Sequence, residues 1–193
     1  MLSCEQAAEV AVRLLKEKKL KVAFAESCTG GLVSKLITDV SGSSEVFDGG
    51  VVSYSNNVKS SVLGVESDIL NRYGAVSCPV AVEMAQGVRQ LIKSDIGVGI
   101  TGIAGPNSDS TSKPVGLVYV AISCESGVKV IKLNNDYRGN DVREQNRKAS
   151  ALAALDLVKQ YADAYPKKVE GMTDADEILK KYRHERRAED GNF

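Results

Sequence analysis

The sequence predicts an α/β protein, a single layered α/β/α domain with a mixed sheet. Segments with strand character alternate with helical segments over residues 21–103, as expected for parallel strands joined by crossover helices. A predicted hairpin at 117–133 follows, so the later strands should pair antiparallel. The length of 193 residues suits one such domain and allows a core that needs no disulfide or metal.

Local patterns support each predicted element. Ser3 is available as the N-cap of a first helix that carries alanine and leucine on one face. Gly64 suits the left-handed end of a helix, and Pro79 suits a first helical turn. In chain order, the other predicted elements are a strand at 21–25, a helix at 32–40, a strand at 50–54, helices at 56–63, 68–73 and from 79, strands at 95–103, 117–124 and 128–133, and a helix at 141–164.

The composition changes after residue 165. We expect residues 1–165 to form the domain and residues 166–193 to form a charged, solvated tail that is partly helical from Asp174 to Arg187. Residues 1–19 carry charges throughout and lack the apolar block of a signal peptide. The longest apolar stretches have the length of strands, not of membrane spans. These features predict a cytoplasmic protein with no membrane partner.

The charge balance and the single histidine argue against several classes of function. The chain has 25 basic and 25 acidic residues, so its total charge gives no reason to expect a nucleic-acid partner. His184 lies in the charged tail, which argues against a Ser-His-Asp triad, a Cys-His pair and a histidine-rich metal site. The four cysteines are far apart, which favours a reducing compartment. A nucleophile in this chain would need another base.

The first segment of chemical interest, residues 25–31, joins a predicted strand to a helix. A hydroxyl there lies at the carboxyl edge of the sheet, where sites form in open α/β folds, and free N–H groups at the helix start can stabilise an oxyanion or a phosphate. Ser27 is therefore a candidate nucleophile. The alternative, in which Ser27 or Thr29 only caps the helix, stays open. Cys28 is a rival nucleophile, but without a neighbouring histidine a buried structural thiol is the simpler interpretation.

The second segment places Tyr54 at the end of a strand and Lys59 shortly after it, in the next helix or turn. A lysine acts as a general base only when it is neutral, which requires desolvation or nearby positive charge. A tyrosine hydroxyl beside it could relay a proton or hold the amine in place. On this pattern alone, Lys59 could equally be an ordinary surface lysine.

The third segment, residues 99–106, carries Thr101 from a strand into a glycine-rich loop that can hold a substrate with backbone N–H groups. The same glycines also suit a tight turn that needs them for backbone reasons alone. A G-x-G-x-x-G match at 97–102 begins inside the strand and precedes a loop with proline, so we reject a dinucleotide site. An S-x-x-K match at 110–113 lies in a polar loop, where chance is the simpler explanation.

Taken together, the segments resemble one known family in their residues and in the order in which they occur. The sequence reads AESCTGG, then GSSEVFDGGVVSYSNNVKSSVLGV, then YGAVSCPVAVEMAQGVRQL, then TGIAGP and KPVG. This succession resembles the CinA C-terminal domain family over roughly residues 3–158. Stand-alone members of that family are nicotinamide-nucleotide amidases. The resemblance implies hydrolysis of nicotinamide mononucleotide to nicotinate mononucleotide and ammonia, with no metal or organic cofactor.

The resemblance also implies the roles of four residues. The serine nucleophile of the family corresponds to Ser27, its lysine to Lys59, its tyrosine to Tyr54, and the threonine or serine before its glycine-rich loop to Thr101. Since no histidine is available, Lys59 would take the proton from Ser27. The family further implies a small-molecule nucleotide substrate and a homo-oligomer, often a dimer.

The substrate contacts are expected from two loops and one arginine. Arg143 resembles an arginine of the family segment at the start of the last helix and is the candidate phosphate ligand, with an exposed structural arginine as the alternative. The expected substrate-binding residues are Cys28, Thr29, Gly30, Gly31, Gly102, Ala104, Gly105 and Arg143. Two departures from the family bear on this pocket: residues 107–109 replace frequent glycines, and only Arg138 lies near the position of an earlier family arginine.

Two other functions remain open from the sequence. The same pocket could bind a nucleotide in a non-catalytic module that serves regulation or assembly, or the domain could hydrolyse a different small amide. Ammonia release from a panel of amides separates the three hypotheses. A binding module releases none, a changed amidase ignores nicotinamide mononucleotide, and the main hypothesis prefers that nucleotide.

Overall fold

The structure, a computed structural model, describes residues 2–108, 112–167 and 169–189, with side chains as far as Arg183. Asp109, where the sequence departs from the family pattern, lies outside the described residues. So do two residues of the S-x-x-K match, 110 and 111, and residues 168 and 190–193 of the predicted tail.

Five strands form one mixed sheet. The order across the sheet is β2-β1-β3-β4-β5. Strands β1, β2 and β3 run parallel to one another, whereas β4 is antiparallel to both of its neighbours. The predicted mixed sheet is thus confirmed. The strands are β1 Val22–Glu26, β2 Phe47–Val52, β3 Ile96–Gly102, β4 Leu117–Cys124 and β5 Gly127–Asn134.

Helices cover both faces of the sheet, which confirms the layered α/β/α architecture. Helices α1, α2 and α6 pack together on one face, and α3, α4 and α7 pack with α5 on the other. None of the described helices has the length and apolarity that crossing a bilayer requires. The helices are α1 Cys4–Lys18, α2 Leu32–Thr38, α3 Asn56–Leu63, α4 Ser67–Tyr73, α5 Cys78–Ile92, α6 Val142–Ala164 and α7 Ala175–Glu189.

Several boundaries follow directly from local chemistry. Ser3 caps α1 in a capping box with Gln6, and Gly64 ends α3 with a φ of 70°, a left-handed conformation that glycine adopts without strain. The predicted strand at 50–54 is shifted, because β2 begins at Phe47 and ends at Val52. It runs through two glycines that have weak strand propensity, and pairing with β1 overrides that preference. Tyr54 consequently lies beyond the strand.

The glycines of the rejected dinucleotide motif have a packing role. A Cβ added at Gly97 would stand 2.1 Å from the carbonyl oxygen of Ala85, and one added at Gly99 would stand 2.4 Å from that of Ala81. Helix α5 therefore lies directly against β3, at a distance that only glycine allows. This close packing brings the start of α5 and the loop before it to the carboxyl end of β3.

The predicted C-terminal tail packs on the domain. The helix expected at 174–187 is present as α7, but the expectation of a solvated appendage is wrong for part of it. Met172 is 6% exposed and Leu179 is 3% exposed. Thr173 pairs with Val128 beside β5, and Tyr182 meets Tyr73 edge to face at 5.1 Å between ring centroids. Scattered apolar residues, too few to suggest a core in the sequence, thus suffice to bury one side of the segment.

Candidate active site

The carboxyl ends of the three parallel strands meet at one edge of the sheet. Ser27 directly follows β1, Ser53 follows β2, and Thr101 lies near the end of β3. Parallel strands necessarily place these ends together, which is why sites of open α/β folds form there. A cavity of about 270 Å³ opens at this edge and is lined by Ser27, Cys28, Tyr54, Lys59, Ala75, Val76, Thr101, Gly102, Ile103, Ala104, Gly105, Asn107, Ser108 and Arg143.

Lys59 and Ser27 are in contact within this cavity. Ser55 caps α3 by accepting the N–H of Val58, and Lys59 projects from the first turns of that helix toward the end of β1. The Lys59 Nζ lies 3.0 Å from the Ser27 Oγ, 2.6 Å from the Ser53 carbonyl oxygen and 3.4 Å from that of Tyr54. The amine is thus held by a hydroxyl and two carbonyls, with no carboxylate among these partners.

Burial changes the acidity of this amine. Lys59 is only 1% exposed, so a charged ammonium would lose most of its hydration. This desolvation lowers the pKa of Lys59 to about 8, and a weak opposing effect of the Cys28 thiol raises it slightly. A minor but appreciable fraction of the amine, about one in ten at pH 7, is therefore in the neutral form that a general base requires. The alternative of an ordinary surface lysine is wrong.

Tyr54 contributes to the site differently from the expectation. Its side chain is 62% exposed, and its hydroxyl lies 3.1 Å from an Nη of Arg143 and accepts a hydrogen bond from it. The carbonyl oxygen of Tyr54, not the phenol, faces the Lys59 amine. The expected contact between phenol and amine is wrong in this structure, because Tyr54 lies beyond β2 on the outer wall of the cavity.

Thr101 and the loop after β3 form another wall of the cavity. The Thr101 hydroxyl is buried and donates a hydrogen bond of 2.7 Å to the carbonyl of Ala75, so it holds the segment before α5 in place. Gly102, Ala104 and Gly105 line the cavity as expected. A direct role of the Thr101 hydroxyl in the reaction stays a prediction, since its donor is already engaged.

The loop between β1 and α2 is organised by Glu26, which the sequence reasoning missed. The N-cap of α2 is Gly31, and neither Ser27 nor Thr29 caps this helix. Instead, the buried Glu26 carboxylate accepts the N–H groups of Gly31 and Val33 on Oε2, and the N–H and hydroxyl of Ser34 on Oε1. Negative charge at a helix N-terminus is favourable, and here it leaves the Ser27 hydroxyl free for Lys59.

The expected binding residues of this loop separate into two groups. Cys28 lines the cavity, and burial raises the pKa of its thiol to about 12, which makes it a poor rival nucleophile. Thr29, Gly30 and Gly31 are not among the residues that line the cavity. Gly31 donates its N–H to Glu26, and Gly30 donates its N–H to the Ser27 carbonyl, so neither amide is available to a substrate.

Further residues that the sequence reasoning did not identify hold the cavity walls. Lys113 donates to the carbonyls of Tyr73 and Val76, and Asn146 donates to that of Ala104. Arg147 donates to the carbonyl of Thr29. A signal was present for Arg147, since it follows Arg143 by one helical turn and must share its face of α6.

Other parts of the described molecule offer less chemistry. A larger groove of about 420 Å³ lies between α1, α2 and α6, lined mainly by leucines, alanine and Tyr137. Besides Tyr137, its polar lining residues are Ser3, Cys4, Glu5, Gln145 and Lys148. Among the described contacts of these residues, none is a hydrogen bond between a serine hydroxyl and a lysine amine. Within residues 2–108, 112–167 and 169–189, no His, Cys, Asp and Glu side chains gather in a group suited to a metal ion.

The fold and the site define an α/β protein in which a buried lysine contacts a serine at the carboxyl edge of a mixed sheet. The sequence profile described as the CinA C-terminal domain matches residues 4–162. The chain therefore belongs to the CinA C-terminal domain family.

Individual relatives agree with this assignment. A CinA-like protein of Desulfovibrio desulfuricans is 45% identical over 159 residues, which cover 81% of this chain and 37% of that protein. The solved competence/damage inducible protein CihA from Agrobacterium tumefaciens is 37% identical with a TM-score of 0.76, covering 80% of this chain and 93% of that one. A CinA superfamily protein from Escherichia coli is 26% identical with a TM-score of 0.77, covering 82% and 91%. The chain thus spans little more than a third of the length of the curated relatives it matches.

Proposed function

We propose that this chain is a nicotinamide-nucleotide amidase that converts nicotinamide mononucleotide and water to nicotinate mononucleotide and ammonia by a serine–lysine mechanism. One observation carries the proposal: the buried Lys59 amine lies 3.0 Å from the Ser27 hydroxyl inside the cavity. Membership of the CinA C-terminal domain family supports the proposal further, because stand-alone members of that family are nicotinamide-nucleotide amidases.

The contacts of Lys59 suit a neutral amine. A neutral amine has two N–H groups and one lone pair. The carbonyls of Ser53 and Tyr54 can accept the two N–H groups, which leaves the lone pair for the hydroxyl proton of Ser27. With a pKa of about 8, roughly one amine in ten is neutral at pH 7. Lys59 can therefore remove the proton while Ser27 Oγ attacks the carboxamide carbon.

The remaining steps need no other titratable group. The Lys59 ammonium returns its proton to the leaving amide nitrogen, so ammonia departs and an ester forms on Ser27. A water molecule then attacks this ester, with Lys59 again taking a proton, and nicotinate mononucleotide is released. The negative oxygen formed in both steps needs N–H donors beside Ser27, where the amides of Cys28 and Thr29 donate to no oxygen among the described residues.

The cavity offers complementary groups for the two ends of the nucleotide. Val76 and Ile103 give apolar surface close to Ser27, suited to a pyridine ring. Arg143 lies at the cavity, where its guanidinium donates to the carbonyl of Gly105 at 2.8 Å and to the hydroxyl of Tyr54. A guanidinium has five N–H donors, so this one retains others for a phosphate. Arg143 is therefore the proposed phosphate ligand.

The partners and location of the protein belong to the same proposal. The family resemblance supports a homo-oligomer that acts in the cytoplasm on a small nucleotide, with neither nucleic acid nor a membrane as partner. The reaction as written uses only this chain, the nucleotide and water. The reaction therefore requires no cofactor.

The decisive experiment measures ammonia release from nicotinamide mononucleotide by the wild type, by Ser27→Ala and by Ser61→Ala, whose serine is exposed on α3. We expect Ser27→Ala to lower kcat by about 10⁴-fold or more, since the nucleophile is gone, and Ser61→Ala to match the wild type. Equal activity in Ser27→Ala would refute the mechanism. A panel of other carboxamides tests the substrate, because preference for another amide would refute the proposed specificity alone.

A further inference from the structure

One face of helix α6 contacts the backbone of both loops that flank the cavity. Arg143, Asn146 and Arg147 are spaced three and four residues apart, so they share this face. Arg143 donates to the carbonyl of Gly105 at 2.8 Å, and Asn146 donates to that of Ala104 at 3.0 Å. These two residues hold the loop after β3, whereas Arg147 reaches across to the loop after β1.

Two nitrogens of the Arg147 guanidinium donate hydrogen bonds to a single carbonyl oxygen. These atoms, Nε and Nη2, lie 3.1 and 2.8 Å from the carbonyl oxygen of Thr29. Hydrogen bonds from a charged donor are among the stronger ones in proteins, and the planar guanidinium fixes the direction of both. Gly30 has a φ of +60°, and a Cβ added there would stand 3.9 Å from Nη2. The guanidinium thus lies against the turn that follows the proposed nucleophile.

This contact completes the hydrogen bonding on the outer side of the turn. The Gly30 N–H donates to the Ser27 carbonyl at 3.1 Å, which closes a turn with Cys28 and Thr29 at its centre. Arg147 occupies the Thr29 carbonyl. In the part of the chain that the structure describes, the amides of Cys28 and Thr29 have no oxygen acceptor, and both interact with the Cys28 sulfur. They are the first two N–H groups after Ser27 in the chain.

We propose that Arg147 is a positioning residue that orients the turn after Ser27, so that the Cys28 and Thr29 amides receive the oxygen that becomes negative during acyl transfer. Arg147 is absent from the cavity lining and acts only through the backbone of Thr29. This inference rests on the proposed amidase function. It adds a residue whose loss should affect the transition state more than the binding of substrate.

The kinetic test compares Arg147→Ala with Lys148→Ala, which removes the neighbouring exposed cation of α6, a side chain that forms an ion pair with Glu144. We expect Arg147→Ala to lower kcat by about 10- to 100-fold with little change in KM, because a displacement of about 1 Å costs up to that much. Millimolar guanidinium chloride should restore part of the rate to Arg147→Ala, and Arg147→Lys should retain an intermediate rate. The pH midpoint set by Lys59 should not move. Lys148→Ala should match the wild type.

A second measurement does not depend on the nucleotide. A fluorophosphonate probe phosphonylates an activated serine and releases fluoride, and its phosphoryl oxygen needs the same N–H donors. Its rate of reaction with Ser27 should fall in Arg147→Ala and remain unchanged in Lys148→Ala, with Ser27→Ala as the blank. Slower labelling would support the positioning role even if wild-type protein left nicotinamide mononucleotide intact, a result that refutes only the proposed substrate.

Three results would overturn the inference. The first is an unchanged labelling rate in Arg147→Ala. The second is a kcat in Arg147→Ala equal to that of the wild type, measured where the wild type does hydrolyse the nucleotide. The third is a rate loss that guanidinium does not restore and that accompanies a lower Tm than that of Lys148→Ala, since this pattern indicates a general loss of structure.

Discussion

The parallel and antiparallel halves of the sheet differ in what their strand ends contribute. Strands β1, β2 and β3 end at one edge, and the residues at or beyond those ends include Ser27, Lys59 and Thr101. No residue of β4 or β5 lines the cavity that these residues share. The antiparallel half instead meets α7, where Leu179 packs with Val128 and Ala121.

Strand direction explains this difference. Parallel strands bring all their carboxyl ends to one edge, and the loops that leave those ends can converge on a substrate. Antiparallel neighbours alternate in direction, so the hairpin of β4 and β5 places only half of its ends there. We infer that the parallel half carries the chemistry and the antiparallel half mainly contributes stability. The following predictions test that division, beginning with the largest effect.

Removing the proposed base from the parallel half should have the largest effect. Lys59→Met keeps a long side chain in the buried position but removes the amine, and a general base typically contributes about 10²- to 10⁴-fold. We expect kcat for ammonia release to fall by that range. Lys59→Arg should fail similarly, because guanidinium keeps its proton near neutral pH. In the wild type, kcat should rise with pH, pass its half-maximal value near pH 8 and level off only above that, since burial lowers the pKa of Lys59 to about 8. A rate that is independent of pH over this range would contradict the base assignment.

Reversing the charge of Arg143, the proposed phosphate ligand, should have the second largest effect. Arg143→Glu should raise KM for nicotinamide mononucleotide by about 10- to 100-fold, the range expected for hydrogen bonds to a charged group. The nucleoside without phosphate should show a much smaller difference between wild type and variant. Steady-state kinetics with both substrates provide the check. Equal losses on nucleotide and nucleoside would show that Arg143 acts on the cavity wall through Gly105 and not on the phosphate.

A substitution at the antiparallel half should affect stability and spare activity. Leu179→Ala removes a buried side chain from the contact of α7 with the sheet, and we expect it to lower the free energy of unfolding by about 2 kcal/mol. Lys180→Ala, at the exposed neighbouring position, should stay within about 0.5 kcal/mol of the wild type. Chemical denaturation gives both values. A loss of kcat in folded Leu179→Ala would show that α7 also supports the site, which would break the division.

The smallest predicted effect concerns a buried acid outside the site. Burial raises the pKa of Glu83 to about 7, while the Glu66 N–H and Arg183 oppose this shift. The folded protein then binds a proton more tightly than the unfolded chain, so this group's contribution to stability is lost as pH rises through about 7. The Glu83→Gln variant has no carboxyl at this position to ionise. Its free energy of unfolding should therefore fall less than that of the wild type between about pH 5 and pH 8. Parallel curves for the two proteins would show that Glu83 titrates normally.

Local patterns were sufficient for most of the fold. Helix α3 and strand β4 occur at the predicted residues, because a left-handed glycine at a helix end and a continuous apolar run are local signals. Strand β2 was predicted three residues late, since its start depends on pairing with β1. The packing of α7 was missed for a similar reason. Its few apolar residues matter only where Val128 and Ala121 are present to receive them.

The candidate site was predictable in its chemistry and less so in its supports. A single histidine in a charged segment indicated that a nucleophile would need another base, the strand ends indicated where Ser27 would lie, and the family resemblance implied that the base is Lys59. The side-chain partners of Glu26 and Arg147 could not be read from spacing, since each bond joins positions that only folding brings together. The same holds for the Tyr54 phenol, which faces Arg143 instead of the amine.

Periodicity and strand ends were thus enough to predict the α/β class, the mixed sheet and the position of Ser27, whereas the pairing of Ser27 with Lys59 was expected from the resemblance to the CinA C-terminal domain family. Tertiary structure decided whether the Lys59 amine is buried, which oxygens surround it and which residues hold the loops. Desolvation and hydrogen-bond geometry arise only when distant segments pack, and they are what lowers the pKa of an ordinary lysine toward that of a base.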